Sequence, residues 1–208
     1  MSATTTANIM DLLKERTAEH HRRAEQQPLQ QALVKGTATR DEYIRWLGQM
    51  LHVHTALERC IESAAAHEPR LGIVTPEQHG HPRLAADLRA IGIDPASIAP
   101  SAPTAAASVE IHTAAKALPV SLLGFHYVLE GSKNGNRYIA MALRRGLGLV
   151  PGTGDTYLDP YGEQQRAKWQ EFRTAMGAQA YSDRETQAVI AAAGRMFEGV
   201  SAICADIA

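Results

Sequence analysis

The segment VSLLGFHYVLEGSKNGNRYIAMALRR, residues 120–145, decides the fold of this chain. Its apolar residues recur at helical spacing, so it predicts one long helix. Gly131 and Gly135 lie inside that helix on one face, and each costs about 1 kcal/mol relative to alanine. Either this face packs closely against another helix, or a bulky flat ligand lies against its bare backbone. The polar neighbours of the two glycines weaken the first interpretation; they are Ser132, Lys133, Asn134 and Asn136.

The remainder of the chain also favours helices, because Ala, Leu, Glu and Arg dominate and no long alternation of apolar and polar residues predicts a strand. Capping boxes at 39–42 and 182–185 predict the starts of two long helices. Since no linker is long enough to divide the chain, we predict one all-α domain, a helical bundle over residues 1–208, with residues 1–6 disordered. The predicted helices cover about residues 7–25, 28–34, 40–66, 82–91, 105–117, 120–145, 163–176 and 183–206.

Composition excludes several classes of protein. Hydrophobic residues make up 45% and charged residues 21%, which is typical of a globular protein. The net charge is -1, so a nucleic-acid binder, which needs a basic excess, is not indicated. The two cysteines, Cys60 and Cys204, form no C-x-x-C motif, and a reduced intracellular setting is the simpler interpretation. No signal peptide and no run of about 18 apolar residues is seen, so we expect a cytoplasmic protein without a membrane span.

His21 and Glu25 are four residues apart and share a face of the first predicted helix. A histidine that binds a metal usually donates its other ring N–H to a carboxylate or carbonyl, and a glutamate at this spacing reaches that nitrogen. An exposed His–Glu pair without a metal has the same spacing and is common. His20, about 100° around the helix, is a rival metal ligand.

The other histidines give weaker signals. His52 and His54 form no metal motif and point to different faces, so we expect one in the core and one at the surface. His79 and His81 flank a glycine and are interpreted as a flexible surface pair. His126 is either a packed core histidine or a pocket residue.

Several segments, in order, resemble the haem oxygenase family, specifically the soluble bacterial type that forms biliverdin. They span most of the chain, and the third is the most specific. The segments are LKERTAEHHRRAE (13–25), KGTATRDEYIRWLGQMLHVHTALE (35–58), LLGFHYVLEGSKNGNRYIA (122–140) and DPYGEQQRAKWQEFRTAM (159–176).

The resemblance implies an all-α bundle with haem between a proximal and a distal helix. It implies that His21, rather than His20, is the proximal iron ligand and that Glu25 is its carboxylate partner. Lys14, two helical turns before His21, and Arg173 would each contact a haem propionate through charge-assisted bonds.

The resemblance places the distal-helix glycines at Gly131 and Gly135. Many relatives read EGSTLGG where this chain reads EGSKNGN, so Asn136 replaces a second glycine. Lys133 brings a charge close to the distal pocket, where it would compete for a haem propionate. This departure leaves open which ring carbon is attacked.

The resemblance further implies cleavage of haem by O2 to biliverdin, carbon monoxide and iron, with haem as both substrate and cofactor. A separate reductase or ferredoxin would supply electrons, since no flavin or nicotinamide motif is present, and a photoreceptor would be one user of the biliverdin. We expect no nucleic-acid partner and no membrane partner. The alternatives are a non-catalytic haem sensor, carrier or storage protein on the same fold, a thiamine-pyrimidine salvage enzyme with a nucleophilic cysteine, and a helical interaction module.

Overall fold

The structure is a computed structural model that describes residues 8–208, and within this range every regular element is a helix. The all-α class is therefore confirmed, while the prediction for residues 1–6 lies outside the described residues. The α-helices are α1 (Ile9–Glu25), α2 (Pro28–Lys35), α3 (Arg40–Ala64), α4 (His81–Ala90), α5 (Ala102–Ala117), α6 (Leu122–Leu147), α7 (Gln165–Gly177) and α8 (Asp183–Ile207).

The helix starts follow local capping. Asn8 accepts a hydrogen bond from the Met10 N–H and caps α1. Both predicted capping boxes are present, with Thr39 and Ser182 as the N-caps of α3 and α8. Because a capped N-terminus satisfies N–H groups that lack an intrahelical partner, these residues fix where each helix begins.

Helix α5 begins at Ala102, three residues before its predicted start at Ala105. The predicted start leaves Pro103 outside the helix, but this proline lies in the first turn of α5. A proline is tolerated there because its missing N–H has no partner in the helix. The predicted loop after α3 also contains two short 3-10 helices, Pro69–Ile73 and Pro76–Gln78.

Helix α6 is continuous through Gly131 and Gly135 and crosses α8 in the centre of the bundle. A side chain at Gly124 would collide with the Val189 carbonyl, so the two helices touch backbone to backbone. By length and composition α8 also resembles a membrane span, contrary to our expectation from the sequence. Its large apolar residues, however, are buried in the core of the bundle or packed against it, and a core helix meets the same criteria.

Helices α2 and α6 meet through a second glycine contact. Gly36 ends α2 with φ 71°, a left-handed conformation that glycine adopts without strain. A side chain at Gly146 would collide with the Gly36 carbonyl, and one at Gly36 would collide with the Ala142 carbonyl. This contact holds α2 directly against α6.

Candidate functional site

A cavity of about 680 Å³ lies between α1 and α6. Helices α2, α3 and α8 and the loop before α7 complete its walls. Aromatic and aliphatic side chains dominate the lining, with histidine and amide groups at a few positions, which is the usual composition of a small-molecule site. The lining residues are His21, Ala24, Glu25, Gln30, Gln31, Val34, Trp46, Met50, Val128, Leu129, Gly131, Ser132, Asn134, Gly135, Asn136, Ile139, Tyr157, Phe197 and Val200.

His21 lines the cavity from α1, and its side chain is 58% exposed. Its Nδ1 lies 3.5 Å from a carboxylate oxygen of Glu25, and Phe197 of α8 meets the imidazole edge to face at a centroid distance of 5.6 Å. Because Nδ1 is the nitrogen beside the carboxylate, Nε2 is left to bind a ligand.

His20 has a different environment. Its Nε2 lies 3.4 Å from Glu198, and the ring packs against Gly194 of α8. Its Nδ1 is buried and has no hydrogen-bond partner within residues 8–208. Of the two adjacent histidines, the structure places only His21 in the cavity wall.

Gly131 and Gly135 of α6 differ in what they allow. A Cβ at Gly131 would lie 3.3 Å from the Trp169 ring of α7, so this glycine permits close packing of two helices. A Cβ at Gly135 would meet no atom within 4 Å, and Gly135 lines the cavity. Both glycines line the cavity, but Gly131 also fits the close-packing interpretation, and only Gly135 of the two leaves open space beside its backbone.

The polar side chains beside the glycines are held by local hydrogen bonds. The Ser132 hydroxyl donates to the Leu129 carbonyl at 2.7 Å and lies 3.4 Å from the Asn136 amide, which donates to it. Asn134 donates to the Gly131 carbonyl at 2.9 Å. These groups line the cavity in fixed orientations, so they are suited to positioning a water molecule or a polar ligand atom.

Lys133 does not lie in the cavity wall, and our expectation that it would compete for a propionate there is corrected. Its side chain is 1% exposed, and its ammonium group donates to Glu130 at 2.7 Å, to the Gln78 carbonyl at 2.9 Å and to the Tyr161 hydroxyl at 3.1 Å. These three partners use all three N–H donors. Burial lowers the pKa of Lys133, although Glu130 opposes this effect.

Lys14 and Arg173 also lie outside the lining of the cavity. Lys14 is exposed on α1. Arg173 of α7 lines a separate polar cavity of about 320 Å³, to which Asp11 and Asn8 contribute from the start of α1. Since Lys14 follows Asp11 by one helical turn, both cations lie near the contact of α1 with α7.

A buried hydrogen-bonded chain leads from the cavity into α3. His54 and Glu58 are each 3% exposed, and their Nδ1 and Oε1 atoms lie 2.8 Å apart. Burial raises the pKa of Glu58, but His54, His81 and the Gly80 N–H bring it down to about 2, so the carboxylate accepts. His54 therefore donates from Nδ1, and its Nε2 accepts from the Tyr157 hydroxyl at 2.9 Å.

Sequence reasoning missed the series of hydrogen bonds that joins Tyr157, His54 and Glu58. We expected one core and one surface histidine at 52 and 54, and His54 is indeed buried. His52 is half-buried, with its Nε2 2.7 Å from the Ile98 carbonyl. The spacing of His54 and Glu58 equals that of His21 and Glu25 and was the available signal.

His126, Cys60 and Cys204 are the other candidate groups, and burial perturbs the pKa of each one. His126 is buried, and burial together with Lys133 holds its pKa well below the ordinary value. Burial raises the pKa of the Cys60 thiol, and it raises that of Cys204 to about 12. Neither thiol has the lowered pKa of a nucleophile, which disfavours the salvage-enzyme alternative.

The fold matches solved structures closely. Heme oxygenase from Leptospira interrogans superposes with a TM-score of 0.88 at 24% identity, over 96% of this chain and 99% of that one. Heme oxygenase-1 from Synechocystis in complex with heme gives 0.87 at 20% identity, over 96% and 92%. A domain of unknown function with a heme oxygenase-like fold from Shewanella denitrificans gives 0.75 at 14% identity, over 98% and 93%.

The sequence comparisons add the family. A search of curated proteins finds no match. The family model described as heme oxygenase matches residues 7–206, which is nearly the whole sequence. The chain therefore belongs to the heme oxygenase family.

Proposed function

We propose that this protein binds haem between α1 and α6, with His21 as the iron ligand, and opens the ring with O2 to give biliverdin, carbon monoxide and iron. The observation that carries the proposal is one cavity lined both by the histidine of a His–Glu pair and by Gly135 on the facing helix. Membership of the heme oxygenase family supports the same activity.

The residues of the cavity fit a haem group. Its volume of about 680 Å³ lies within the range of about 300–1,000 Å³ typical of small-molecule sites. Val128, Leu129 and Ile139 of α6 and Phe197 of α8 supply apolar surface for a flat ring system. The open space at Gly135 lets a ring approach the backbone of α6.

Haem would supply the iron that binds O2 and the ring carbon that is oxidised. His21 would ligate through Nε2 and donate from Nδ1 to Glu25, which orients the imidazole and increases its basicity. A thiolate ligand donates electron density to the iron and thereby favours O–O cleavage. A histidine ligand donates less and does not favour that cleavage in the same way. Ser132 and Asn136 would hold water near the ring, and this water would relay protons there.

Lys14 and Arg173 would bind the propionates where these project from the cavity toward the contact of α1 with α7. Arginine pairs with carboxylates in bidentate geometry, and lysine provides a point charge. Electrons would come from a separate reductase or ferredoxin, with biliverdin passing to a partner such as a photoreceptor. We place this reaction in the cytoplasm.

The second candidate is a non-catalytic haem sensor, carrier or storage protein. Asn136 favours it, because this side chain lines the cavity where many relatives have glycine. Its amide already contacts Ser132, which reduces the freedom of water beside the ring.

The experiment is reconstitution with haem followed by addition of reductant and O2. Turnover predicts loss of the haem absorption, a green bile pigment and carbon monoxide, whereas an unchanged haem spectrum would establish the non-catalytic alternative. His21→Ala should abolish the histidine-ligated spectrum, with recovery on adding imidazole. His20→Ala is the matched control, and loss of the spectrum in that variant alone would make the ligand assignment wrong.

A further inference from the structure

A group of metal-binding side chains lies outside the haem cavity, where α3 meets the start of α4. The carboxylate of Glu58 and the imidazoles of His79 and His81 place ligand atoms within 4.8 Å of one another. Glu62, one turn along α3 from Glu58, adds a second carboxylate beside His79. Our interpretation of the two histidines as a flexible surface pair is therefore wrong.

His79 occupies the centre of this group. Its side chain is 11% exposed, and its Nδ1 lies 3.9 Å from an oxygen of Glu58 and 3.8 Å from an oxygen of Glu62. Both separations exceed hydrogen-bonding distance. They are close to the ligand-to-ligand separation of about 3.3 Å that four tetrahedral bonds of about 2.0 Å require. A cation between the three groups therefore needs only small side-chain movements.

The two oxygens of Glu58 have different partners. Both lie 3.4 Å from the His81 N–H, but Oε1 also accepts from the Gly80 N–H at 2.6 Å and from His54, whereas Oε2 accepts from Nδ1 of His81 at 2.5 Å. Oε1 is thus held by the protein, and Oε2 faces the imidazoles. Metal-binding carboxylates are commonly oriented by this kind of outer hydrogen bonding.

Gly80 brings the two histidines together. A Cβ at this position would lie 2.5 Å from the His54 ring, so a larger residue would push the segment away from α3. Capping of α4 by an anion explains the bonds from the Gly80 and His81 N–H groups to Glu58. It does not explain why Glu62 and the nearly buried His79 converge on the same point.

We propose that Glu58, His79 and His81, together with Glu62, bind a divalent first-row transition metal ion. Two imidazoles with carboxylate oxygens suit Zn²⁺, Fe²⁺ and Co²⁺ better than Ca²⁺ or Mg²⁺, which prefer all-oxygen sites. The site is separate from the haem cavity, because none of its four residues lines that cavity.

The test is titration of the full-length, haem-free protein with Co²⁺ after treatment with a chelator. We expect one equivalent to bind with visible ligand-field absorption and to be displaced by Zn²⁺, with calorimetry giving the Zn²⁺ affinity. His79→Ala and Glu62→Gln should each weaken this affinity at least about tenfold. Glu62 is exposed, so its variant keeps the fold even if His79→Ala destabilises it.

His21→Ala is the control, because the exposed His21–Glu25 pair is the rival location for a metal ion. Affinity in this variant should equal that of the unmodified protein. The proposal is overturned if the unmodified protein binds no Co²⁺, if either His79→Ala or Glu62→Gln binds as tightly as before, or if His21→Ala removes the binding.

Discussion

The chain contains two His–Glu pairs with the same spacing and opposite surroundings. In the pair on α1, His21 and Glu25 are 58% and 62% exposed, with 3.5 Å between nitrogen and oxygen. In the pair on α3, His54 and Glu58 are each 3% exposed and 2.8 Å apart. In the buried pair, the Tyr157 hydroxyl donates a hydrogen bond to Nε2 of His54, whereas Nε2 of His21 is left for a ligand. The spacing brings each histidine to its glutamate, but the packing of the surrounding helices decides whether the second ring nitrogen of the histidine has a protein partner.

The largest expected effect is the difference in the free energy of unfolding when the histidine of each pair is removed. His54→Ala leaves the buried Glu58 carboxylate without one of its partners and opens a cavity, so it should lower the free energy of unfolding by about 3–5 kcal/mol. His21→Ala removes an exposed side chain and should change it by no more than about 0.5 kcal/mol. Urea unfolding of the two haem-free variants measures both values. Equal losses would mean that the environments of the pairs do not matter.

The next effect concerns ligand binding by the exposed pair. Glu25→Gln removes the carboxylate beside His21 and should weaken haem affinity about tenfold, because loss of an outer partner reduces the basicity of a metal-binding imidazole. Haem titration followed by absorption measures this change. Glu15→Gln, an exposed glutamate on the same helix, is the control and should bind haem as before. If both variants bind alike, Glu25 does not support the ligand.

A smaller effect tests the cavity wall that faces His21. Gly135→Ala should raise the free energy of unfolding by about 1 kcal/mol, because alanine favours a helix and its Cβ meets open space. The same methyl group should weaken haem binding. Gly131→Ala should gain less stability, because its Cβ presses on Trp169. Thermal unfolding and haem titration of both variants measure these effects, and a destabilised Gly135→Ala protein would contradict the prediction.

The smallest expected effect is the pH dependence of stability that a third histidine, the buried His126, causes. Burial holds the pKa of His126 well below 6.5 in the folded protein, so the unfolded chain binds a proton first as the pH falls. The contribution of His126 to stability is therefore complete above about pH 6.5 and declines below it. His126→Leu should reduce the dependence of the urea midpoint on pH in this range. An unchanged dependence would mean that His126 is not held neutral by burial.

The helices were predictable because their signals are local. Periodicity and capping predicted the bounds of α3 and α8 to within about two residues. The predicted start of α5 was three residues late, because Pro103 also suits the first turn of a helix. The site was predictable only in part. The location of Lys133 depends on the Gln78 carbonyl, which is 55 residues away, and on Tyr161. The burial of His79 likewise depends on α3, and no local pattern carries that information.

The glycine contact between α2 and α6 has a consequence for ligand selection. Side chains adapt to a new ligand by changing rotamer, whereas atoms of the main chain yield only when an entire helix shifts. Gly36 and Gly146 therefore fix the distance between α2 and α6 at the cavity, independently of Gln30, Gln31 and Val34, which α2 contributes to the cavity wall. Substitutions at those three positions would change which ligand groups the cavity prefers, whereas the width of the cavity would stay the same.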